Sequence, residues 1–143
     1  MQWLARREYG RDELASKLVL RGCNEAIATE VTQKLAAEGL VSDERFIEAL
    51  LHVRRTRGYG PLFIRRELEE KGVGKQLIGR WIDPRDRDWI DDLKRVKKKK
   101  YGGGKPVSLA ERARQMRFLQ SRGFTLEQIR TVLDGSDDQG NPD

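Results

Sequence analysis

The sequence predicts an all-α protein made of three tandem three-helix repeats, and three observations carry that prediction. Segments about fifty residues apart share a glycine and the apolar columns around it. Apolar residues recur at i, i+4 spacing in short stretches punctuated by glycines and capping residues. No window alternates with period two and β-branched enrichment, as a strand would.

The repeat comes first. Tyr9-Gly10 recurs fifty positions later as Tyr59-Gly60. Each pair precedes a helical pattern that ends in a cation and a glycine, Arg21-Gly22 and Lys71-Gly72, and a third such ending stands at Arg122-Gly123. Aligned on those glycines, Leu18, Leu68 and Leu119 fall four positions before, and Cys23, Val73 and Phe124 one after. Val31, Trp81 and Val132 fall nine after. Three glycines out of 14 could align by chance, but matching apolar columns on both sides could not easily do so.

Each glycine follows a helix such as Asp12–Arg21, where Leu14 and Leu18 share a face. A glycine just past a helix can turn left-handed and end it, and the cation before it suits the carbonyl end. The next helix then starts at once. Asn24 is placed to cap the first copy (Asn24–Glu38), and the second copy spans Gly74–Ile82. Thr125-x-x-Gln128 and Ser108-x-x-Glu111 are capping-box patterns, and Pro61 suits a first helical turn. A third helix from Ser42 or Asp43 through Arg57 presents Phe46, Ala49, Leu50 and Val53 on one face. Its counterpart follows the break at Asp83-Pro84 and runs Arg85–Tyr101, with Trp89, Leu93 and Val96 inward. With a short helix around Trp3–Glu8, about nine helices are expected.

The resulting division is repeat 1 at residues 1–57, repeat 2 at 58–101, a glycine-rich hinge at 102–106, repeat 3 at 107–133 and a disordered acidic tail at 134–143. A fifty-residue period is longer than that of the common two-helix solenoids and leaves room for three short helices.

Composition narrows the function classes. Hydrophobic and charged fractions of 37% and 36% fit thin helices with narrow apolar stripes better than one thick core. No apolar run approaches a membrane span and the N-terminus has no signal-peptide core, so a cytoplasmic protein without membrane attachment is expected. The lone Cys23 has no thiol partner for a disulfide or a zinc site. The net charge of +6 rises to +10 over residues 1–133, because four Asp and no cation lie beyond. Such a balance suits an anionic partner.

No catalytic constellation emerges, and neither enzyme activity nor a cofactor is expected. His52 has no nucleophile signature near it, and Cys23 sits in an apolar column as a small core residue. The carboxylates Asp83, Asp86, Asp88, Asp91 and Asp92 lack the glycine and spacing of a calcium loop and read as helix N-terminal acids. Gly102-Gly103-Gly104-Lys105-Pro106 fails as a phosphate loop, because Pro106 stands where Ser or Thr belongs.

The basic clusters carry more. Lys94, Arg95, Lys97, Lys98, Lys99 and Lys100 place six cations in seven residues. Arg54, Arg55 and Arg57 hold the matching place in the first repeat, and Arg65-Arg66 follow in the second. A run that repels itself points to polyanion contact. Tyr9, Gly10, Leu18, Gly22, Cys23, Phe46, Tyr59, Gly60, Leu68, Gly72, Leu119, Gly123 and Phe124 are assigned to repeat packing.

At LARREYGRDEL, KL-x-LRG, EGLVSDERFIEALLHVRRTRGYGP and IRRELEEKGV the sequence resembles the RecX family of bacterial recombination regulators, from about Trp3 to Leu133. The stretch Gly39-Leu40 through Phe46 with Arg54–Gly60 is the most specific; the third repeat matches mainly through Arg122-Gly123-Phe124 and Ile129. The resemblance implies a curved, elongated array of three-helix repeats. It also implies a non-enzymatic protein that binds RecA and its filament on single-stranded DNA and inhibits ATP hydrolysis, strand exchange and co-protease activity; separately from the resemblance, a monomer is expected. Recombinational repair and the SOS response would be affected, and weak nonspecific DNA binding would accompany this. The alternative from the residues alone is a direct DNA-binding module of helix-turn-helix type. Against it, the cations lie on the third helices rather than on the second ones.

Overall fold

The computed structural model describes residues 3, 4 and 7–135. Among these it forms eight α-helices and no strand: α1 (Arg11–Leu20), α2 (Glu25–Ala37), α3 (Asp43–Thr56), α4 (Pro61–Glu70), α5 (Lys75–Trp81), α6 (Asp88–Tyr101), α7 (Leu109–Ser121) and α8 (Leu126–Leu133). The all-helical class expected from the sequence is therefore what the chain adopts. Of the short helix expected around Trp3–Glu8, Trp3 and Leu4 are helical and Arg7 is already in a bend. None of these helices is long and apolar enough to cross a membrane.

The three aligned glycines end α1, α4 and α7 by one device. Gly22, Gly72 and Gly123 take φ of +104°, +83° and +97°. The amide that follows each glycine donates to the carbonyl of the leucine four places before it: Cys23 to Leu18 (3.1 Å), Val73 to Leu68 (3.0 Å) and Phe124 to Leu119 (3.2 Å). The glycine amide itself bonds one carbonyl further on, at Val19, Glu69 and Gln120. This is the Schellman pattern, in which the residues at the two ends of the longer bond also touch through apolar side chains. Two columns of the fifty-residue repeat are thus the two ends of one hydrogen bond. All three leucines are buried, as are Val73 and Phe124, with Cys23 half-buried.

Caps fall largely where the residues placed them. Asn24 Oδ1 accepts from the Ile27 amide at 2.9 Å. Thr125 and Gln128 exchange both bonds of a capping box, at 3.1 and 2.8 Å. The Ser108 box is only half made. Ser108 Oγ accepts from the Glu111 amide, but the Glu111 carboxylate turns instead to Arg114 (2.6 Å) and Gln115 (3.2 Å). Pro61 opens α4 as expected.

Three local expectations shift. The helix placed at Arg85–Tyr101 starts at Asp88, because Asp83 and Asp86 carboxylates take the Arg85 and Asp88 amides at 2.9 and 3.2 Å and hold a turn. On α3 the buried pair is Phe46 and Ile47, whereas Val53 is 41% exposed. Helical spacing defines a face but not which of its edges a neighbour covers. Trp81 is 39% exposed at the end of the seven-residue α5, so the column nine places past the glycine reaches the rim of the core.

The described chain divides into two compact units, Met1–His52 with Arg65–Trp81, and Val53–Ile64 with Ile82–Asp143. In the first, α1 packs on α2 around Tyr9, Leu14, Leu18, Ala28 and Val41, with Trp3, Leu4, Cys23, Val31 and Leu35 against them. Lys17 Nζ donates to the Tyr9 hydroxyl at 2.8 Å, and Glu13 accepts from Arg7 (2.9 Å) and Lys71 (2.7 Å). A side chain at Gly72 would collide with Asp12, so α1 meets the end of α4 at close range.

In the second unit α6, α7 and α8 pack on one another and bury Trp89, Leu93, Leu119, Phe124, Ile129 and Leu133. Backbone meets backbone where the Tyr59-Gly60 turn reaches the end of α7. Gly60 N–H donates to Arg122 O at 2.7 Å, and Leu62 N–H to Gly123 O at 2.9 Å. Asp134, the first residue assigned to the acidic tail, caps α8 and accepts from Arg112 at 3.0 Å. Residues 136–143 of that tail lie outside the described residues.

Candidate functional site

The second unit contains a cleft of about 380 Å³ whose walls are the C-terminal ends of three helices. From α3 and the turn beyond it come Arg55, Thr56, Arg57 and Gly58; from α6, Arg95, Val96, Lys99 and Lys100; from α7 and its cap, Phe118 and Arg122. Six of these ten residues are cations and none is a carboxylate. Helix C-termini add partial negative charge that offsets part of this, which is why cations accumulate there without a ligand.

The lysine run on α6 does not act as one patch. Arg95, Val96, Lys99 and Lys100 follow i, i+4 spacing on the cleft side. Lys94, Lys97 and Lys98 fall on the other side and line a second hollow of about 270 Å³ with Gly102–Lys105, Val132 and Gly135. Within that side Lys97 stands apart. It is 5% exposed, and its ammonium donates to Gly102 O (3.1 Å) and Gly104 O (2.6 Å). Its charge is committed to holding the glycine triplet, which the sequence had suggested as a hinge.

The other assigned cations differ in how they are held. Arg55 Nε bonds Asp92 Oδ2 at 2.6 Å, and its guanidinium lies 4.5 Å from the Trp89 ring centre. The bond to Asp92 raises the Arg55 pKa further, against a smaller opposing effect of burial. Arg95 takes the other oxygen of Asp92 at 2.8 Å while staying largely exposed. Asp92, 4% exposed, thus clamps two cleft arginines and lies beyond the first turn of α6, unlike Asp88 and Asp91. Among the described residues no group of His, Cys, Asp and Glu is arranged to hold a metal ion.

Arg57 and Lys99 are exposed in the cleft wall with no side-chain partner among the described residues. Lys100 lies 4.2 Å from the Phe118 ring centre. Arg122 lies 4.7 Å from that of Tyr59, which itself stacks on Phe63 at 4.2 Å. Arg122 and Phe118 were missed as site residues. Arg122 was explained by the helix it ends, and Phe118 belongs to no repeat column, so neither carried a local signal. Arg54 lies on α3 half-buried, and Arg65 and Arg66 belong to the other unit, with Arg66 paired to Glu70 at 3.2 Å. His52 is exposed on α3, and Cys23 packs against the first core.

Residues 42–80 match a family model described as "RecX, second three-helix domain", and residues 86–133 one described as "RecX, third three-helix domain". A regulatory protein RecX of Halorhodospira halophila (strain DSM 244 / SL1) is 38% identical over 138 residues, 96% of this chain and 86% of that protein. The proteins of the same name from Pseudomonas entomophila (strain L48) and Ectopseudomonas mendocina (strain ymp) are each 39% identical, covering 96% of this chain and 88% and 92% of theirs. The chain belongs to the RecX family.

A crystal structure of regulatory protein RecX also superposes with a TM-score of 0.74, over 94% of this chain and 67% of that one. At 17% identity that likeness concerns the fold. The RecX models group α3 with α4 and α5, and α6 with α7 and α8. In the RecX frame the cleft is therefore lined by the end of the first helix of domain two and by the first two helices of domain three. Counting from the Tyr-Gly pairs makes α3 and α6 third helices instead; the helices are the same and only the phase differs.

Proposed function

We propose that this RecX protein binds the RecA recombinase filament on single-stranded DNA and inhibits it. ATP hydrolysis, strand exchange and co-protease activity would fall, with effects on recombinational repair and the SOS response. The partner's identity rests on the family resemblance. The observation that supports a polyanionic complex is the cleft, where six cations converge and no carboxylate lines the wall. Tandem repeats can engage successive protomers of a filament, and linked weak contacts then add to an affinity that a free subunit does not reach. Holding neighbouring protomers together would oppose the rearrangements that accompany ATP turnover. The protein acts by binding alone, without a catalytic group of its own.

Titrating the protein into RecA assembled on single-stranded DNA tests this. ATP hydrolysis should fall at stoichiometric amounts in low salt and recover as salt screens the contact. Unchanged hydrolysis under those conditions refutes the reading, and sequence-specific binding to bare duplex would instead favour a direct DNA-binding module.

A further inference from the structure

We infer that the cleft of the second unit is a binding site for the phosphodiester backbone of a single nucleic-acid strand, with Arg57, Lys99 and Arg122 as the phosphate-contacting groups. This rests on the filament reading for its biological setting and deepens it, because it assigns the cleft to the strand rather than to the surface of the recombinase.

Three features of the cleft lead there. The first is the excess of charge. Six cations line it, and Asp92 behind them engages Arg55 and Arg95, while Arg57 and Lys99 have no side-chain partner among the described residues. Unpaired like charges this close repel one another, and an anion of high charge density relieves that repulsion. The second is fixed geometry. Arg55 and Arg95 are clamped by bonds of 2.6 and 2.8 Å to one buried carboxylate, so one wall of the cleft holds its shape without a ligand. The third is shape and lining. A hollow of about 380 Å³ has room for a nucleotide unit, whereas a duplex is read by elements that protrude into its grooves. One aromatic ring, Phe118, lines the cleft beside Lys100, and a cation next to a ring is a combination that single-strand sites use. An acidic polypeptide would satisfy the charge but does not need the ring.

The test measures binding of the purified full chain to fluorescein-labelled oligo-dT, and to a duplex of equal length, by anisotropy across a salt series. Three proteins are compared: the unaltered chain, the double variant Arg57→Ala/Lys99→Ala, and a control of equal net charge, Lys34→Ala/Lys75→Ala, whose exposed lysines lie on α2 and α5. All four side chains are exposed, so the fold is not at risk, and a circular-dichroism melt confirms it. Each lost phosphate contact lowers the slope of log affinity against log salt by about 0.7 for a single strand. The cleft variant should therefore lose about 1.4 from the slope. The unaltered chain would then weaken about sevenfold more than the variant between ~50 and ~200 mM salt. The control should match the unaltered chain on oligo-dT, and the duplex slope should be alike in all three.

Equal slopes for the cleft variant and the control overturn the assignment, because net charge alone would then explain binding. So does an unaltered chain that fails to bind oligo-dT in low salt while its binding to RecA-coated strand depends on Arg57 and Lys99. The cleft would then face protein. Failure of the filament reading shows separately, as unchanged RecA ATP hydrolysis, and leaves the oligo-dT result standing.

Discussion

Replacing Gly60 by alanine should destabilise the second unit by about 3 kcal/mol. A Cβ at Gly60 would stand 2.7 Å from the carbonyl carbon of Gly123 and from the Phe124 nitrogen. Those are backbone atoms at the end of α7, held by the same turn whose bonds to Arg122 and Gly123 measure 2.7 and 2.9 Å. No side-chain rotation relieves the collision, so the two segments must separate. Weakening both bonds costs about 1 kcal/mol each, and the forced displacement adds ~1–3 kcal/mol. The smaller entropy of the unfolded alanine chain returns ~0.4–1 kcal/mol. Urea unfolding followed by circular dichroism reads the difference; with a slope near ~2 kcal/mol/M the midpoint should fall by about 1.5 M. Gly10→Ala is the matched comparison. There the added carbon meets the Phe46 ring at 3.1 Å and Asp43 Oδ1 at 3.2 Å, both side-chain atoms that can shift, so a loss of only about 1 kcal/mol is expected. A Gly60→Ala loss below about 1 kcal/mol, or one no larger than that of Gly10→Ala, would refute the backbone-contact argument.

Lys97→Ala should cost about 2 kcal/mol and speed amide exchange at Gly102–Gly104, because it removes two charge-assisted bonds from a buried ammonium. Lys98→Ala next to it should stay within about 0.5 kcal/mol, and equal effects would contradict the distinction between the two. Glu13→Gln should lower stability at neutral pH by about 1–2 kcal/mol, since Glu13 accepts from both Arg7 and Lys71. Burial pushes the Glu13 carboxyl up, but the bonds from Arg7 and Lys71 outweigh it and leave its pKa below the ordinary 4.5. Its contribution is therefore complete above pH 4.5 and fades as pH falls through the lower folded value. The gap between the two proteins in urea midpoint should close over that acid range; a gap that widened there would reverse the assignment.

The repeat was legible because it is written in backbone chemistry. A Schellman ending needs a residue that tolerates positive φ, an apolar residue four before it and another just after, so each copy leaves three marks at constant spacing. Gly22, Gly72 and Gly123 carry those marks with Leu18, Leu68, Leu119 and their partners. Caps were legible for the same reason, since Asn24 and Thr125 act on amides within three residues. Features settled by tertiary neighbours were not. Val53 and Trp81 have the right period for a core face, yet burial is decided by what lies opposite. The phase of the repeat was equally open, because a run of three helices can be counted from any of them.

The site shows the same division more sharply. Composition and clustering located the cations, and every cleft cation except Arg122 was among them. What they do depends on groups far away in sequence. Asp92 stands 37 positions from Arg55, and nothing local marks it as different from Asp91, which is exposed in the first turn of α6. One step along a helix turns a residue by about 100°, so adjacent aspartates face opposite environments. The lysines follow the same rule. Lys97 turns inward to two carbonyls, while Lys99, two positions on, faces the cleft without a side-chain partner. A run of like charges therefore indicates that a polyanion can bind, and helical geometry decides which members of the run are available to it. That is why Lys99 and Arg57, rather than the run as a whole, are the residues on which the salt dependence should turn.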